Sequence, residues 1–269
     1  MPLHCQLLWI TLMASTSVRN AKTLFESEEA VRLLGSVRPN DAIEMELCLK
    51  AMTVMLVDAE DSKATPLHVA SKDGHLRLAE LLVENGAGIE ARNGTGATPL
   101  ILAARYGHLA IVKLLLEKGA AVDVINDDRS TALHWASQEG HVEIVKLLTE
   151  KGAPLEAKLE RGRTPVFLAT TSGHLPIVKL LFEKGASLHA RDEEGQTLLH
   201  HACKGDNLEL VRFLVEIGLS VNTRSLWGTS PYYIAKRRAR YRASRRAFDS
   251  INELYAILRF LNSVGAVER

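Results

Sequence analysis

Long hydrophobic runs are missing from this chain of 269 residues. No stretch of about 18 apolar residues occurs, which argues against a membrane-spanning helix. Leu7 to Ala14 has the look of a short secretory h-region, but no Lys or Arg precedes it and only Ala-Ser-Thr-Ser follows. A cytoplasmic or nuclear location is therefore the expectation, with secretion through residues 1–20 as the alternative. Cysteine is scarce as well: Cys5, Cys48 and Cys203 are odd in number and far apart, so neither a disulfide framework nor a zinc knuckle is written here. An excess of one charge is also missing. With 33 basic and 32 acidic residues and 46% apolar residues, the chain is neither disordered nor strongly charged overall. GxSxG, P-loop and dinucleotide fingerprints are missing, and ten histidines include no HExxH and no Cys/His finger spacing. No cofactor, metal or catalytic constellation is expected.

What the chain does contain is repetition. GHLAIVKLLLEKGA from Gly107 returns as GHVEIVKLLTEKGA from Gly140 and as GHLPIVKLLFEKGA from Gly173. Looser versions start at Gly74 and Asp206. Thr65, Thr98, Thr131, Thr164 and Thr197 lie 33 residues apart without an insertion, and Ser230 falls on the next position. Internal similarity at fixed period signals a stacked array.

Each unit predicts two short helices. Thr98 offers an N-cap hydroxyl and Pro99 suits the first helical position. The first helix stops near Gly107. The second runs from about His108 through Leu109, Ile111, Val112, Leu114, Leu115 and Leu116, with Lys118 in its last turn and Gly119 as a left-handed cap. Neither helix is long enough to stand alone in water. A helix apolar on more than one side must be covered on more than one side, and stacking copies of one unit achieves that.

TPLHVA at Thr65–Ala70, with the recurring Gly-His and Gly-Ala pairs, resembles the T-P-L-H-x-A motif of the ankyrin repeat family. The resemblance implies an all-α solenoid of helix-turn-helix repeats with short hairpin loops, in a curved right-handed stack. It covers 65–229 as five repeats: 65–97, 98–130, 131–163, 164–196 and 197–229. Ile101 and Phe167 stand where the motif has His, and Ala132 and Leu198 where it has Pro. Asp206-Asn207 replaces Gly-His in the fifth unit, with Gly205 one place early, which predicts an altered turn there. Residues 32–64 read as a degenerate capping repeat, within which Asp41-Ala-Ile-Glu44 resembles a capping box opening a helix through Met45, Leu47 and Ala51, and 1–31 as a leader. Residues 230–269 read as a C-terminal capping repeat. Thr65 to Ala87 spans 23 residues and Ser230 to Ala266 spans 37, so the last unit carries a 14-residue insertion, most of it KRRARYRASRR.

The repeat accounts for most histidines: His68, His134 and His200 occupy the TPLH position, and His75, His108, His141 and His174 the Gly-His position, where ring nitrogens can satisfy backbone and Thr groups. Cys203 sits at a small packed position. Trp135 is read as core and Tyr106 as surface. The resemblance further implies recognition of a protein partner, without catalysis, on a concave surface of hairpin tips and exposed first-helix sides. Carried over by repeat position, the tips contribute Arg92, Thr95, Asp128, Arg161, Arg163, Arg191, Glu194, Arg224 and Trp227. The first helices contribute Lys72, Arg105, Tyr106, Gln138, Glu139, Thr171 and Ser172. Arginine and exposed aromatics are enriched at interface hot spots. Trp227 is either such a contact or a side chain packed under the insertion. Asn222 stands where the family's hairpin Asn can be hydroxylated.

Lys236, Arg237, Arg238, Arg240, Arg242, Arg245 and Arg246 form a basic patch without an acid. Without those seven, 26 basic residues face 32 acidic ones, a net charge of −6 for the remainder. In a helix Arg238, Arg242, Arg245 and Arg246 share a face beside Tyr241. The patch can dock an acidic protein surface, act in nuclear import, bind nucleic-acid phosphates, or be merely a solvated face. Ser244, after R-x-R-x, matches a basophilic kinase site whose use would weaken the charge. The expectation is a monomeric adaptor for a protein partner, with an acidic surface among the options. A nucleic-acid-associated factor using 236–246 is the alternative.

Overall fold

Thr65, Thr131 and Thr197 each open a helix by a reciprocal cap. In the first case the Thr65 backbone N–H donates to His68 Nδ1 at 3.0 Å, and the Thr65 hydroxyl meets the same nitrogen at 2.8 Å. This is a capping box in which imidazole takes the place of the usual Glu or Gln. It leaves Nε2 to carry the proton, and His68 Nε2 reaches the Ala97 carbonyl of the following unit at 3.0 Å. One side chain therefore starts a helix and ties two repeats together.

The computed structural model describes residues 63–84, 86–244 and 251–267. The leader 1–31, almost all of the capping repeat 32–64, Cys5, Cys48, Arg245 and Arg246 lie outside the described residues. The chain divides into two compact units, with the boundary after Asp127.

The first unit holds α1 (Pro66–Asp73), α2 (Leu76–Glu84), α3 (Pro99–Tyr106) and α4 (Leu109–Glu117). First helices α1 and α3 pack on each other, and α2 and α4 back them. Leu67, Leu82, Leu100, Ile101, Ile111 and Leu115 are fully buried there.

The second unit holds α5 (Ala132–Glu139), α6 (Val142–Glu150), α7 (Pro165–Ser172), α8 (Leu175–Glu183), α9 (Leu198–Gly205), α10 (Leu208–Glu216), α11 (Pro231–Ser244) and α12 (Ile251–Ser263). Helices α5, α7, α9 and α11 form one layer, each packed on the next, and α6, α8, α10 and α12 form the layer behind. Leu133, Leu148, Phe167, Ile177, Leu181 and Leu210 fill the space between. No strand occurs among the described residues; the protein is all-α.

The Gly-His pair has a physical reason. Gly140 ends α5 at φ 90°, and a Cβ there would stand 2.7 Å from the His174 ring. The ring lies against the bare glycine so that His174 Nε2 can reach the Gln138 carbonyl at 2.9 Å. In the fifth unit the altered turn is solved differently. Asp206 takes the left-handed cap at φ 58°, and Asn207 replaces the imidazole, its amide donating to the Gly173 carbonyl at 3.0 Å. Asn207 Oδ1 also caps α10, accepting from Leu210 N–H at 2.8 Å.

The insertion is absorbed within the last helix pair. Helix α11 has 14 residues where α9 has 8, and α12 has 13 where α10 has 9. The repeat then resumes in register. Gly265 takes φ 83°, as Gly218 takes 97° one unit earlier. Glu156 accepts a backbone N–H from Ser187, 31 residues on. Asn222 accepts one from Val267, 45 residues on, the same reach lengthened by the insertion. Its amide also donates to the Gly265 carbonyl at 3.0 Å, so Asn222 holds the closing segment through both ends of its side chain.

Candidate functional site

Hairpin tips are built by one residue per repeat. Asp192 Oδ1 accepts the N–H groups of Glu194 and Gln196 at 3.0 and 2.7 Å, Asn93 does the same for Thr95 and Ala97, and the Ser225 hydroxyl for Trp227 and Thr229. These Asx-type cradles curl each tip and hold its outermost side chains outward. Successive tips are then joined by backbone. Glu193 N–H donates to the Arg161 carbonyl at 3.0 Å and Leu226 N–H to the Glu194 carbonyl at 2.9 Å; in the first unit Asp127 N–H donates to Thr95 at 3.1 Å.

The tip at 159–163 breaks this pattern because Leu159 replaces the Asx residue. Its N–H groups lose their acceptor, Arg161 is driven to φ 64°, and the segment tightens into a 3-10 turn at Glu160–Gly162. Nearby polar atoms go unpaired. Arg163 Nε and the Thr164 hydroxyl are buried without a hydrogen-bond partner.

Several arginines expected to face a partner also donate hydrogen bonds within the hairpins. Arg92 Nη1 donates to the Ile125 carbonyl at 2.9 Å, and Arg191 Nη1 to the Gly195 and Arg224 carbonyls at 3.0 and 3.1 Å. Arg224 Nη1 donates to the Gly228 carbonyl of its own tip at 3.2 Å. All three remain exposed. Arg163 is half-buried. Arg161 is exposed and sits 3.8 Å from Glu194 on the next tip. Tyr106 is 42% exposed, with Arg105 lying 5.5 Å from its ring centroid. Gln138 donates to Glu139 at 3.3 Å. Trp135 is half-buried, between the core and surface readings. Trp227 is 77% exposed beside Leu226 at 76%, so it does not pack under the insertion. In the second unit the tips thus bring Asp128, Arg161, Glu194 and Trp227 to corresponding exposed or half-exposed positions.

A polar chain behind these tips escapes the sequence reading. His201, 3% exposed, takes a position filled elsewhere by Val69, Leu102, Trp135 and Leu168. Its Nε2 meets Asp192 Oδ2 at 2.8 Å and its Nδ1 meets the Thr171 hydroxyl at 2.8 Å. Phe167 packs edge-on against the ring at 4.9 Å. Burial pushes His201 below the usual imidazole range in spite of the Asp192 carboxylate, so the neutral ring donates through Nε2. Burial alone would raise Asp192, but the hydrogen bonds from His201 and Gln196 outweigh it and hold the carboxyl low. Lys204 is lowered by its own half-burial, opposed by Glu194 and Asp192. The order hydroxyl, imidazole, carboxylate is that of a nucleophile and its base, but protein closes it at both ends. The Thr171 hydroxyl also faces the Phe167 carbonyl at 2.8 Å, and the remaining Asp192 oxygen serves the tip. The chain is a brace that ties α7 and α9 to the tip at 192–196. A polar residue interrupting an apolar column was the signal that could have found it.

The basic insertion is divided by the fold. Arg238 donates Nε and Nη2 to the two Asp206 oxygens at 2.8 and 2.7 Å, and Arg242 pairs with the same carboxylate. Asp206 is the buried left-handed cap described above, so two of the seven cations fasten the insertion to the fifth repeat. The expectation of one outward patch is corrected to that extent. Arg237 and Arg240 are exposed and pair with no carboxylate among the described residues. Cys203 is wholly buried, and burial pushes its thiol far above the ordinary range, which makes it a packing residue and not a nucleophile. Among the described residues no group of three or more His, Cys, Asp or Glu is placed to hold a metal ion, and no helix is long and apolar enough to cross a membrane.

A family model described as "Ankyrin repeats (3 copies)" matches residues 41–126, 67–159, 118–192 and 155–225 in overlapping frames. No curated protein matches the chain.

Proposed function

The chain belongs to the ankyrin repeat family, whose repeats generally serve as protein–protein interaction modules, and from that premise we propose a non-enzymatic adaptor. Its hairpin tips and the exposed sides of its first helices bind a protein partner. The observation that carries this reading is the contrast between what is repeated and what is varied. Packed positions and tip-to-tip hydrogen bonds recur from unit to unit, while the outermost tip residues of the second unit change from Asp128 to Arg161 to Glu194 to Trp227. A stiff frame presenting dissimilar side chains loses little conformational freedom on binding. An exposed Trp flanked by charges of both signs is the composition of an interface anchor with a specifying rim.

Affinity capture from nuclease-treated lysate tests the proposal, comparing the intact chain with the triple variant Arg161→Ala, Glu194→Ala, Trp227→Ala. These side chains stand outside the core, so the variant retains the fold. The expected outcome is loss of the captured protein by the variant. Retention of the same protein at the same level would refute a tip-borne site.

A further inference from the structure

The long first helix of the last repeat exposes a face that its counterparts bury. At its third position Tyr233 is 44% exposed. The residues in the same register, His68, Ile101, His134, Phe167 and His200, are at most 1% exposed. In the second unit the reason is visible. Helix α7 lies between α5 and α9, and α9 between α7 and α11, whereas α11 packs on α9 and α12 and no first helix follows it among the described residues. The open side carries Tyr233, Arg237 and Tyr241, one turn apart, with Arg240 beside them. Three to four residues separate each from the next, so they form a stripe about 12 Å long. All four are exposed, and α11 contains no acidic residue.

Resting on the reading of the chain as a protein-binding module, we propose that this stripe docks an acidic amphipathic helix of a partner protein, laid on α11 where a further first helix would lie. Two observations select that occupant. The face continues the helix-on-helix stacking that joins α5, α7, α9 and α11, so a helix has the matching shape. Its cations, Arg237 and Arg240, pair with no carboxylate among the described residues, and planar guanidinium groups favour carboxylates in paired geometry. Tyr233 and Tyr241 supply apolar area with a hydroxyl at the rim, suited to a half-wet interface. A nucleic acid fits less well. Two of the basic residues of the insertion are held by Asp206, which leaves Arg237 and Arg240 as the cations of the stripe.

The test is titration of the full chain with an amphipathic helical peptide built of leucine, alanine and glutamate. Its lysine counterpart and an oligouridine are titrated alongside. The glutamate peptide is expected to bind, and Arg237→Glu with Arg240→Glu to weaken it roughly tenfold or more while leaving the thermal transition in place. Arg238→Gln serves as the second variant: it loosens the Asp206 clamp and lowers the thermal transition, so loss of binding through misfolding is recognised. Equal binding of the lysine peptide, tighter binding of the oligouridine, self-association of the chain in place of peptide binding, or no binding by any probe would each overturn the proposal. The lysate capture separates this from the broader reading. If the tip variant loses its protein while the Arg237/Arg240 variant keeps it, the adaptor stands and the stripe falls; the reverse result condemns the tips alone.

Discussion

At the residue scale one side chain carries an unusual share of the architecture. The imidazole of the TPLH position caps a helix through Nδ1 and, in His68 and His200, reaches the next unit through Nε2. Both jobs require the neutral ring. Burial lowers His134 and His200 to about 4 from the ordinary 6.5. Above pH 6.5 folded and unfolded chains are both neutral at these sites, so their contribution is fully present. As pH falls from 6.5 to 4 the unfolded chain takes up protons that the folded chain refuses, and stability is lost, up to roughly 3 kcal/mol per histidine. The buried His201 acts in the same direction. Asp192, held low, adds a loss only at more acidic pH still. Urea unfolding between pH 7 and pH 4.5 is expected to show a midpoint that falls steadily with pH; a midpoint unchanged over that interval would mean these rings are not buried and neutral. The cap and its histidine were legible from the Thr-x-x-His spacing. The Thr171–His201–Asp192 brace was not, because it depends on which residues from three separate segments meet.

At the element scale the hairpins and the last helix pair show how far spacing alone reaches. Equal spacing reads as two helices per repeat, and after the insertion Gly265 and Asn222 take the backbone angle and the hydrogen bond that their counterparts take in earlier repeats. Spacing gave no hint that the basic segment folds half inward, since its acceptor, Asp206, was visible in sequence only as a departure from Gly-His. The same holds for Arg92 and Arg191. Their exposure was readable, but their hydrogen bonds to the carbonyls of the following hairpin require the distance between neighbouring loops. Leu159 is the clearest local conflict. Asn93, Asp192 and Ser225 cradle their tips, whereas Leu159 leaves its tip strained at Arg161 and uncradled. Leu159→Asn is expected to stabilise the chain by about 1 kcal/mol, through the restored hydrogen bonds and relief of the left-handed residue. A higher urea midpoint with unchanged slope would bear this out; a lower one would show that Leu159 earns its place by apolar contact.

At the scale of the whole molecule the account rests on a division of labour. Buried columns repeat because they are interfaces between copies of one unit, and exposed tips differ because nothing within the chain dictates them. The outer faces of the second helices illustrate the contrast: Lys146, Lys179 and Arg212 recur in one column with Glu150, Glu183 and Glu216 one turn on, a balanced surface that singles out no partner. The most direct measurement of the central claim is amide hydrogen exchange of the chain with and without the protein it captures. The account predicts added protection at the tips around Asp128, Arg161, Glu194 and Trp227 and on the first helices beside them, with α6, α8 and α10 unchanged. Protection confined to α6, α8 and α10, with the tips exchanging as in the free chain, would contradict it.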